Sequence, residues 1–174
     1  ADLCDASSVI GVVDELRPAA IYHLAAASFV PASWLHPTPT VEMAATSTSA
    51  FLDAIVNVDR SIRFFQAASA EVFGRPAESP QSESTPIAPI TPYGAGKALG
   101  LFLTRMYREQ FEIHASCGIL FNHESPRRPA DFVTRKITRA AAAIGLGLEN
   151  ELRLGNIDAE RDWTFAGDIV RGMA

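Results

Sequence analysis

The chain has 174 residues, enough for one domain with a sizeable core, and its 48% hydrophobic content excludes a disordered protein. A net charge of −5 argues against nucleic acid as the main partner, and the sequence shows neither a signal peptide nor an apolar run long enough to span a membrane. The two cysteines, Cys4 and Cys117, follow no metal-binding or redox spacing, so we expect no metal site and reduced thiols in a cytoplasmic protein. The chain starts without an initiator methionine and stops within a helix-like pattern, so we expect a fragment of a longer protein.

The first third of the chain predicts two helices with a strand between them. Ser7 or Ser8 can cap a helix that runs through Val9 and Leu16. A short apolar run over residues 19–26 indicates a buried strand, in which His23 is more typical of a core residue than of a ligand. Three prolines indicate a loop over residues 29–39, and an apolar stripe predicts a helix over residues 40–58.

The remaining elements alternate in the same way. Apolar runs at 62–68 and 114–121 predict strands, and residues 152–154 predict a short one. Helical spacing predicts helices over Pro92–Phe111, over 132–146 and from Ala166 onward. The stretch at 122–128, NHESPRR, is too polar for a core and is expected to be a loop.

The strands are nearly continuous apolar runs separated by helices, which is typical of a parallel sheet with helices on both faces. The sequence therefore predicts a doubly wound, Rossmann-like α/β fold. Ligands of such sheets bind beyond the carboxyl ends of the strands. Polar groups follow three of the predicted strands, and we expect them to converge on one crevice: Ala27 with Ser28, Ser69 with Glu71, and Asn122 with His123.

The pair Tyr93 and Lys97 is the first candidate for chemistry. A spacing of four residues puts both side chains on one face of a helix. A nearby ammonium favours the phenolate and lowers the pKa of a tyrosine, which can then exchange a proton with an alcohol near neutral pH. The lysine can also donate to ribose hydroxyls of a cofactor. For an isolated pair of this kind, an exposed helix surface is the ordinary interpretation.

Ser69 and Glu71 follow a predicted strand, and strand alternation would send both side chains to the same side. A glutamate at a strand end is often only solvated, but beside the Tyr93–Lys97 pair it becomes a candidate general base. Three arginines are further candidates. Those of NHESPRR suit phosphate oxygens because guanidinium forks bind them in pairs, although a solvated basic loop is the alternative. Arg161 fits either a phosphate contact or a structural ion pair.

Four blocks of the sequence resemble one family. They are GILFNHESPRR (118–128), FVTRKITRA (132–140), LGNIDAERDW (154–163) and YHLAAAS (22–28). On these blocks the chain is similar to the extended short-chain dehydrogenase/reductase superfamily and, within it, to the GDP-mannose 4,6-dehydratase family. The resemblance covers essentially the whole chain.

The resemblance implies roles for individual residues. Tyr93 is expected to be the base that takes the proton of the sugar 4-hydroxyl, and Lys97 is expected to be its partner and a ligand of the cofactor ribose. Ser69 is expected to form a hydrogen bond to the 4-oxygen. Glu71 is expected to be the base that removes the C5 proton. NADP is the implied cofactor, and GDP-mannose the implied substrate, with Asn122 and Arg161 as candidate ligands. The implied cofactor-binding positions, besides Tyr93 and Lys97, are Asp2, Leu3, Leu24, Ala25, Ala26, Ala27, Ser28, His123 and Arg128.

The family's reaction is a dehydration with no net redox change. A hydride leaves C4, the C5 proton and the C6 hydroxyl leave together as water, and the hydride returns at C6. The product would be GDP-4-dehydro-6-deoxy-D-mannose, a precursor of fucose. Relatives assemble as dimers or tetramers, so we expect a homo-oligomer. The resemblance further implies that residues 1–121 form part of an NADP-binding Rossmann domain with the catalytic residues, and that residues 122–174 carry substrate-binding segments interleaved with the end of that domain.

Several residues depart from the family pattern. The Gly-rich phosphate loop belongs upstream of Asp2, so we expect this chain alone to bind NADP poorly. Ser69 stands in place of a threonine, Ala27 in place of a glutamine and Pro39 in place of a tyrosine. These departures leave other readings open: a sugar-nucleotide epimerase, another nucleotide-sugar dehydratase, a GDP-keto-sugar reductase, or an impaired relative that only binds a GDP-sugar.

Overall fold

Three apolar runs form a parallel sheet in the first part of the chain. In this computed structural model, which describes all 174 residues, strands β1 (Ala20–His23), β2 (Arg63–Ser69) and β3 (Ala115–Leu120) lie in that order. Strand β2 pairs in parallel with both neighbours, and the register sets His23, Gln66 and Cys117 side by side. The predicted Rossmann-like α/β class is therefore confirmed.

The chain divides into two compact units, Ala1–Leu120 and Phe121–Ala174. The first unit contains the sheet, a 3₁₀ turn over Ala70–Phe73, and helices α1 (Ala6–Leu16), α2 (Val30–Leu35), α3 (Pro37–Val58) and α4 (Pro92–Phe111). The second unit contains β4 (Asn122–Glu124), α5 (Val133–Gly145), β5 (Trp163–Phe165) and α6 (Ala166–Met173), with β4 and β5 paired in parallel. No helix combines the length and apolarity that a membrane crossing would need.

The core of the first unit lies on one face of the sheet. Ile21, Phe64 and Ala115, which are cross-strand neighbours, pack with Val13 of α1 and Leu52 of α3. Phe64 and Leu52 are almost fully buried, so this face excludes water. Strand alternation turns the next residues, Tyr22 and Phe65, to the opposite face, where Tyr22 remains 48% exposed. The helices of this unit thus cover one face of the sheet, where the sequence predicted helices on both.

Two predictions for the first helices are wrong in detail. Residues 29–39 are not a loop, because they contain α2 and the start of α3. Pro31 and Pro37 lie in the first turns of these helices, where a missing backbone N–H and a fixed φ cost nothing. The cap of α1 is Asp5, whose side chain accepts a hydrogen bond from the Ser7 backbone N–H, and not Ser7 or Ser8.

The strand predictions also need correction at three places. Strand β1 ends at His23, so residues 24–26 lie beyond it. The polar residues Asn122–Glu124 form a strand after all, because they pair with Trp163–Phe165. Residues 152–154 form no strand. Helix α4, in contrast, has the predicted bounds: Thr91 caps its start through Gly94, and Glu112 ends it in a left-handed conformation with φ of 56°.

Candidate active site

The carboxyl end of β2 carries Ser69 and Glu71. Ser69 is the last residue of the strand, and its Oγ accepts a 3.3 Å hydrogen bond from the Glu71 backbone N–H, which begins the 3₁₀ turn. Both side chains are half-buried. Because the strand ends at Ser69, alternation does not continue to Glu71, and the prediction that strand geometry aligns the two side chains is wrong. A turn joins them instead.

The start of α4 packs directly on that turn. A Cβ built on Gly94 would lie 2.6 Å from the Glu71 carbonyl oxygen, so only glycine permits this approach. Tyr93, the residue before Gly94, is thereby held next to the turn that carries Glu71. Thr91 stabilises the arrangement because its Oγ1 accepts a 3.0 Å hydrogen bond from the Gly94 N–H. The structure thus brings together the two predicted groups, Ser69 with Glu71 and Tyr93 with Lys97, which a long loop separates in sequence.

The loop between Glu71 and Tyr93 is closed at its base by contacts of Val72 and Gly74 with Ala88, which we call the neck of the loop. The Ala88 N–H donates to the Val72 carbonyl oxygen at 2.9 Å. Gly74 has a φ of +63°, and a Cβ there would lie 2.1 Å from the Ala88 oxygen, so glycine is required for this approach as well. Within the loop, Thr85 is buried and donates to Glu78 at 2.5 Å. Residues 75–87 therefore project from a fixed base.

Lys97 is buried, with 6% exposure, and its Nζ donates to the Ala67 carbonyl oxygen at 2.7 Å. The same Nζ lies 5.7 Å from the centre of the Tyr93 ring. Burial lowers the pKa of Lys97 from 10.5 to about 8, while the nearby Cys117 acts in the opposite direction. The ordinary interpretation, in which Tyr93 and Lys97 are an exposed pair on a helix surface, is therefore wrong for the lysine.

A row of polar side chains lies near Lys97, and no pattern in the sequence indicated it as a set. It consists of His23, Gln66 and Cys117, which are cross-strand neighbours. His23 Nε2 lies 3.0 Å from Ser47 Oγ, which confirms a core histidine. Burial first, and then the charge of Lys97, lower the pKa of His23 from 6.5 to about 4. Burial raises the pKa of Cys117 to about 11. His23 and Cys117 are thus uncharged at neutral pH.

The other cofactor candidates of the first unit lie on its surface. Asp2 is exposed, and its Oδ1 accepts a 2.9 Å hydrogen bond from the Cys4 N–H, while Leu3 is half-buried. Leu24, Ala25, Ala27 and Ser28 follow β1 and are exposed, and Ala26 is half-buried. The β1–β2 register brings this segment to the same edge of the sheet as Ser69.

In the second unit, strand pairing gathers Asn122, His123 and Arg161. Asn122 pairs with Trp163, two residues after Arg161, and His123 pairs with Thr164. His123 Nδ1 lies 2.8 Å from the Phe121 carbonyl oxygen, which fixes the ring. Arg161 is exposed, and its Nη1 donates to the Glu160 carbonyl oxygen at 2.6 Å. The alternative of a structural ion pair for Arg161 is therefore not what the structure contains.

Arg128 of the second unit contacts both a carboxylate and an aromatic ring. Its Nε lies 3.2 Å from Glu124 Oε2, and its guanidinium carbon lies 3.5 Å from the centre of the Phe132 ring. The Nε atom is buried, yet its N–H does not point at the carboxylate well enough for a hydrogen bond. The contact is thus an ion pair of partly buried groups. The sequence did not single out Glu124 or Phe132.

The chain matches one family along its whole length. The family model described as GDP-mannose 4,6 dehydratase matches residues 1–174. The GDP-mannose 4,6-dehydratase of Sinorhizobium fredii (strain HH103) is 47% identical over 99% of this chain and 50% of that protein. GDP-mannose 4,6 dehydratase 1 of Arabidopsis thaliana is 48% identical over 99% of this chain and 48% of that protein. The chain thus spans about half the length of the curated relatives it matches.

Solved structures agree with this fold. The structure of RMD from Pseudomonas aeruginosa complexed with NADPH has a TM-score of 0.89 and 28% identity over 98% of this chain and 58% of that chain. A double mutant of DesIV, a dTDP-glucose 4,6-dehydratase from Streptomyces venezuelae with NAD and DAU bound, has a TM-score of 0.84 and 23% identity over 99% of this chain and 52% of that chain. At 23% identity, the second similarity supports the fold alone.

Proposed function

The chain belongs to the GDP-mannose 4,6 dehydratase family, and we propose that the complete protein converts GDP-D-mannose to GDP-4-dehydro-6-deoxy-D-mannose and water. The observation that carries the proposal is the contact of Gly94 with the Glu71 backbone, which joins a carboxylate to the Tyr93–Lys97 helix. In addition to hydride transfer, a 4,6-dehydration needs two proton acceptors. One takes the proton of the 4-hydroxyl, and the other takes the proton bound to C5.

Tyr93 and Lys97 act at the 4-hydroxyl. Tyr93 Oη takes the hydroxyl proton as the C4–H bond breaks. Lys97 favours the phenolate by its charge, and a pKa of about 8 keeps it largely protonated at neutral pH. Its hydrogen bond to Ala67 ties the ammonium to the end of β2, which limits its movement relative to Ser69. Ser69 Oγ hydrogen-bonds to the 4-oxygen and keeps that atom within reach of Tyr93.

Glu71 acts at C5. Once C4 is a ketone, the C5 proton is acidic and the Glu71 carboxylate removes it while water leaves from C6. The carboxylate is the group that distinguishes this reaction from simple alcohol oxidation, since an epimerase or a keto-sugar reductase has no use for it. The half-buried position of Glu71 at the turn leaves it accessible to a sugar beyond the sheet edge.

NADP is the proposed cofactor, and it would accept the hydride from C4 and return it at C6. The complex of the similar RMD with NADPH supports this choice. The residues present fit such a ligand: a buried lysine at the strand ends suits a ribose, and the outer nitrogens of Arg128 suit a phosphate. The proposed contacts are, with Tyr93 and Lys97, the residues Asp2, Leu3, Leu24, Ala25, Ala26, Ala27, Ser28, His123 and Arg128.

Further parts of the proposal concern the rest of the molecule. Asn122, on β4, and Arg161, two residues before its strand partner Trp163, hold the GDP-sugar. Residues 1–121 serve as part of the NADP-binding domain, and residues 122–174 contribute substrate-binding segments. The protein acts in the cytoplasm as a homo-oligomer, and its product feeds the synthesis of GDP-fucose or a related deoxysugar nucleotide.

The test uses the complete gene product with GDP-mannose and a catalytic amount of NADP⁺. We expect mass spectrometry to detect a product lighter by one water, without accumulation of NADPH. Glu71→Gln should abolish water loss while NADP⁺ binding is retained, and Glu78→Gln, in the loop beyond the neck, serves as the matched control. Intact GDP-mannose in the presence of bound ligands would favour an impaired GDP-sugar-binding relative. Unchanged turnover of Glu71→Gln would remove Glu71 from the mechanism.

A further inference from the structure

Arg128 is held from two directions. On one side, the carboxylate of Glu124 lies 3.2 Å from its Nε. On the other, its guanidinium carbon lies over the Phe132 ring, 3.5 Å from the ring centre. The side chains of Arg128 and Glu124 are only 27% and 18% exposed. An arginine on the surface samples many rotamers, so this degree of restraint is unusual for one that merely balances charge.

A third residue fixes the carboxylate itself. Thr134 lies in the first turn of α5, and its Oγ1 donates a 2.8 Å hydrogen bond to the same oxygen of Glu124 that faces Arg128. The turn over residues 125–128, closed by the Arg128 N–H on the Ser125 carbonyl oxygen at 3.0 Å, sets the backbone of the arginine. The hydroxyl, the carboxylate and the guanidinium therefore form one chain of contacts that runs from α5 through β4 to Arg128.

This chain of contacts determines which edge of the guanidinium can meet a ligand. The Nε edge is buried and faces Glu124, and one flat side is covered by Phe132. The ion pair with Glu124 is formed through Nε, and no hydrogen bond of the structure involves Nη1 or Nη2. An oxyanion can bind that end of the guanidinium through two of its oxygens, in a bidentate contact. The carboxylate lies behind the guanidinium, so it holds the arginine without having to approach the anion.

We propose that Thr134, Glu124 and Phe132 are positioning residues that pre-organise Arg128 for an end-on, bidentate contact with a phosphate group. The proposal rests on the proposed function for the identity of the ligand, a nucleotide phosphate. Three phosphates satisfy the same chemistry: the 2′-phosphate of NADP, the diphosphate that NADP and NAD share, and the diphosphate of GDP. Pre-organisation lowers the ordering cost of binding, so losing any part of it weakens affinity without removing the charge.

The test compares three threonine variants of the complete gene product. Thr134→Val removes the hydroxyl and keeps the shape, and Thr134→Ser restores the hydroxyl. Thr138→Val is the matched control, because Thr138 lies one turn further along α5 and donates only to the Arg135 backbone at 3.1 Å. Calorimetry measures the dissociation constants of NADP⁺, NAD⁺ and GDP. We expect Thr134→Val to weaken at least one of them by roughly 3- to 10-fold, the range that one hydrogen bond is worth.

The pattern across ligands identifies the phosphate. An effect on NADP⁺ alone supports the 2′-phosphate, an equal effect on NADP⁺ and NAD⁺ supports their diphosphate, and an effect on GDP alone supports the substrate. The proposal is overturned if Thr134→Val binds all three ligands like Thr138→Val, or if Thr134→Ser is as weak as Thr134→Val. Phe132→Leu, which removes the flat ring, should reproduce the weakening. The proposed function fails separately, if the wild-type protein does not dehydrate GDP-mannose while the Thr134 effect persists.

Discussion

Lys97 allows a quantitative prediction, because its burial is the main cause of its lowered pKa. The residue is 6% exposed, and its pKa falls from 10.5 to about 8. Each pH unit between those values is worth about 1.4 kcal/mol, so carrying the charged lysine at pH 7 costs the folded state about 3 kcal/mol. The cost is complete below pH 8 and disappears as the pH rises from 8 towards 10.5.

Replacing Lys97 by methionine should therefore stabilise the protein. The substitution keeps the chain length, removes the charge, and loses the 2.7 Å hydrogen bond to Ala67. Taking about 1 kcal/mol for that bond leaves an expected gain of about 2 kcal/mol in the free energy of unfolding at pH 7. The gain should shrink by about 1 kcal/mol at pH 9, because the wild-type lysine is then largely neutral.

Urea unfolding at pH 7 and pH 9, followed by circular dichroism, measures both values. Lys136→Met provides the control, since Lys136 is exposed on α5 and its replacement should change the free energy of unfolding by less than about 0.5 kcal/mol at either pH. A Lys97→Met protein that is less stable than wild type at pH 7, or a difference that does not change with pH, would refute the reasoning. Dehydratase activity should be lost in the variant, so stability and function would move in opposite directions.

Three further predictions follow from the site. The pKa of His23 is lowered to about 4 from 6.5, so its contribution to stability is present above pH 6.5 and lost as the pH falls towards 4. In His23→Gln, the free energy of unfolding should therefore depend less on pH between 6.5 and 4, as unfolding experiments at several pH values would measure. Gly94→Ala should lower both thermal stability and turnover because its Cβ would meet the Glu71 carbonyl, whereas Gly145→Ala, with nothing within 4 Å, should leave both nearly unchanged. In Glu71→Gln, a transient 4-keto intermediate should accumulate with reduced cofactor, detectable by absorbance; its absence would indicate that Glu71 acts before C4 oxidation.

Local patterns in the sequence were sufficient for much of the fold. Helix α4 was predictable to its ends, because Thr91 and Pro92 mark a start and the apolar spacing runs unbroken to Phe111. Helix α2 was not, because three prolines usually indicate a loop, and nothing local tells that Pro31 and Pro37 fall in first turns. Strand β4 was missed for another reason: its partner β5 lies far along the chain, and pairing of polar strands leaves no apolar run.

The candidate site, like the fold, was predictable from the sequence only in part. The identities of Tyr93 and Lys97 were readable from their spacing, but the burial of Lys97 depends on Ala67 and on the row of side chains near it. The approach of Gly94 to Glu71 joins residues that no periodicity relates. The set of Thr134, Glu124 and Arg128 spans three elements of the second unit, so only the folded chain reveals it.

The closed neck between Val72 and Ala88 has a consequence for how such a protein can diversify. Because the neck fixes both ends of residues 75–87, the length and composition of that loop are independent of the spacing between Glu71 and Tyr93. Lengthening a loop whose ends are already held costs little entropy. New sequence could therefore be inserted at its tip, whether by evolution or by an engineer, to add a binding loop or an affinity tag without moving Glu71 or Tyr93.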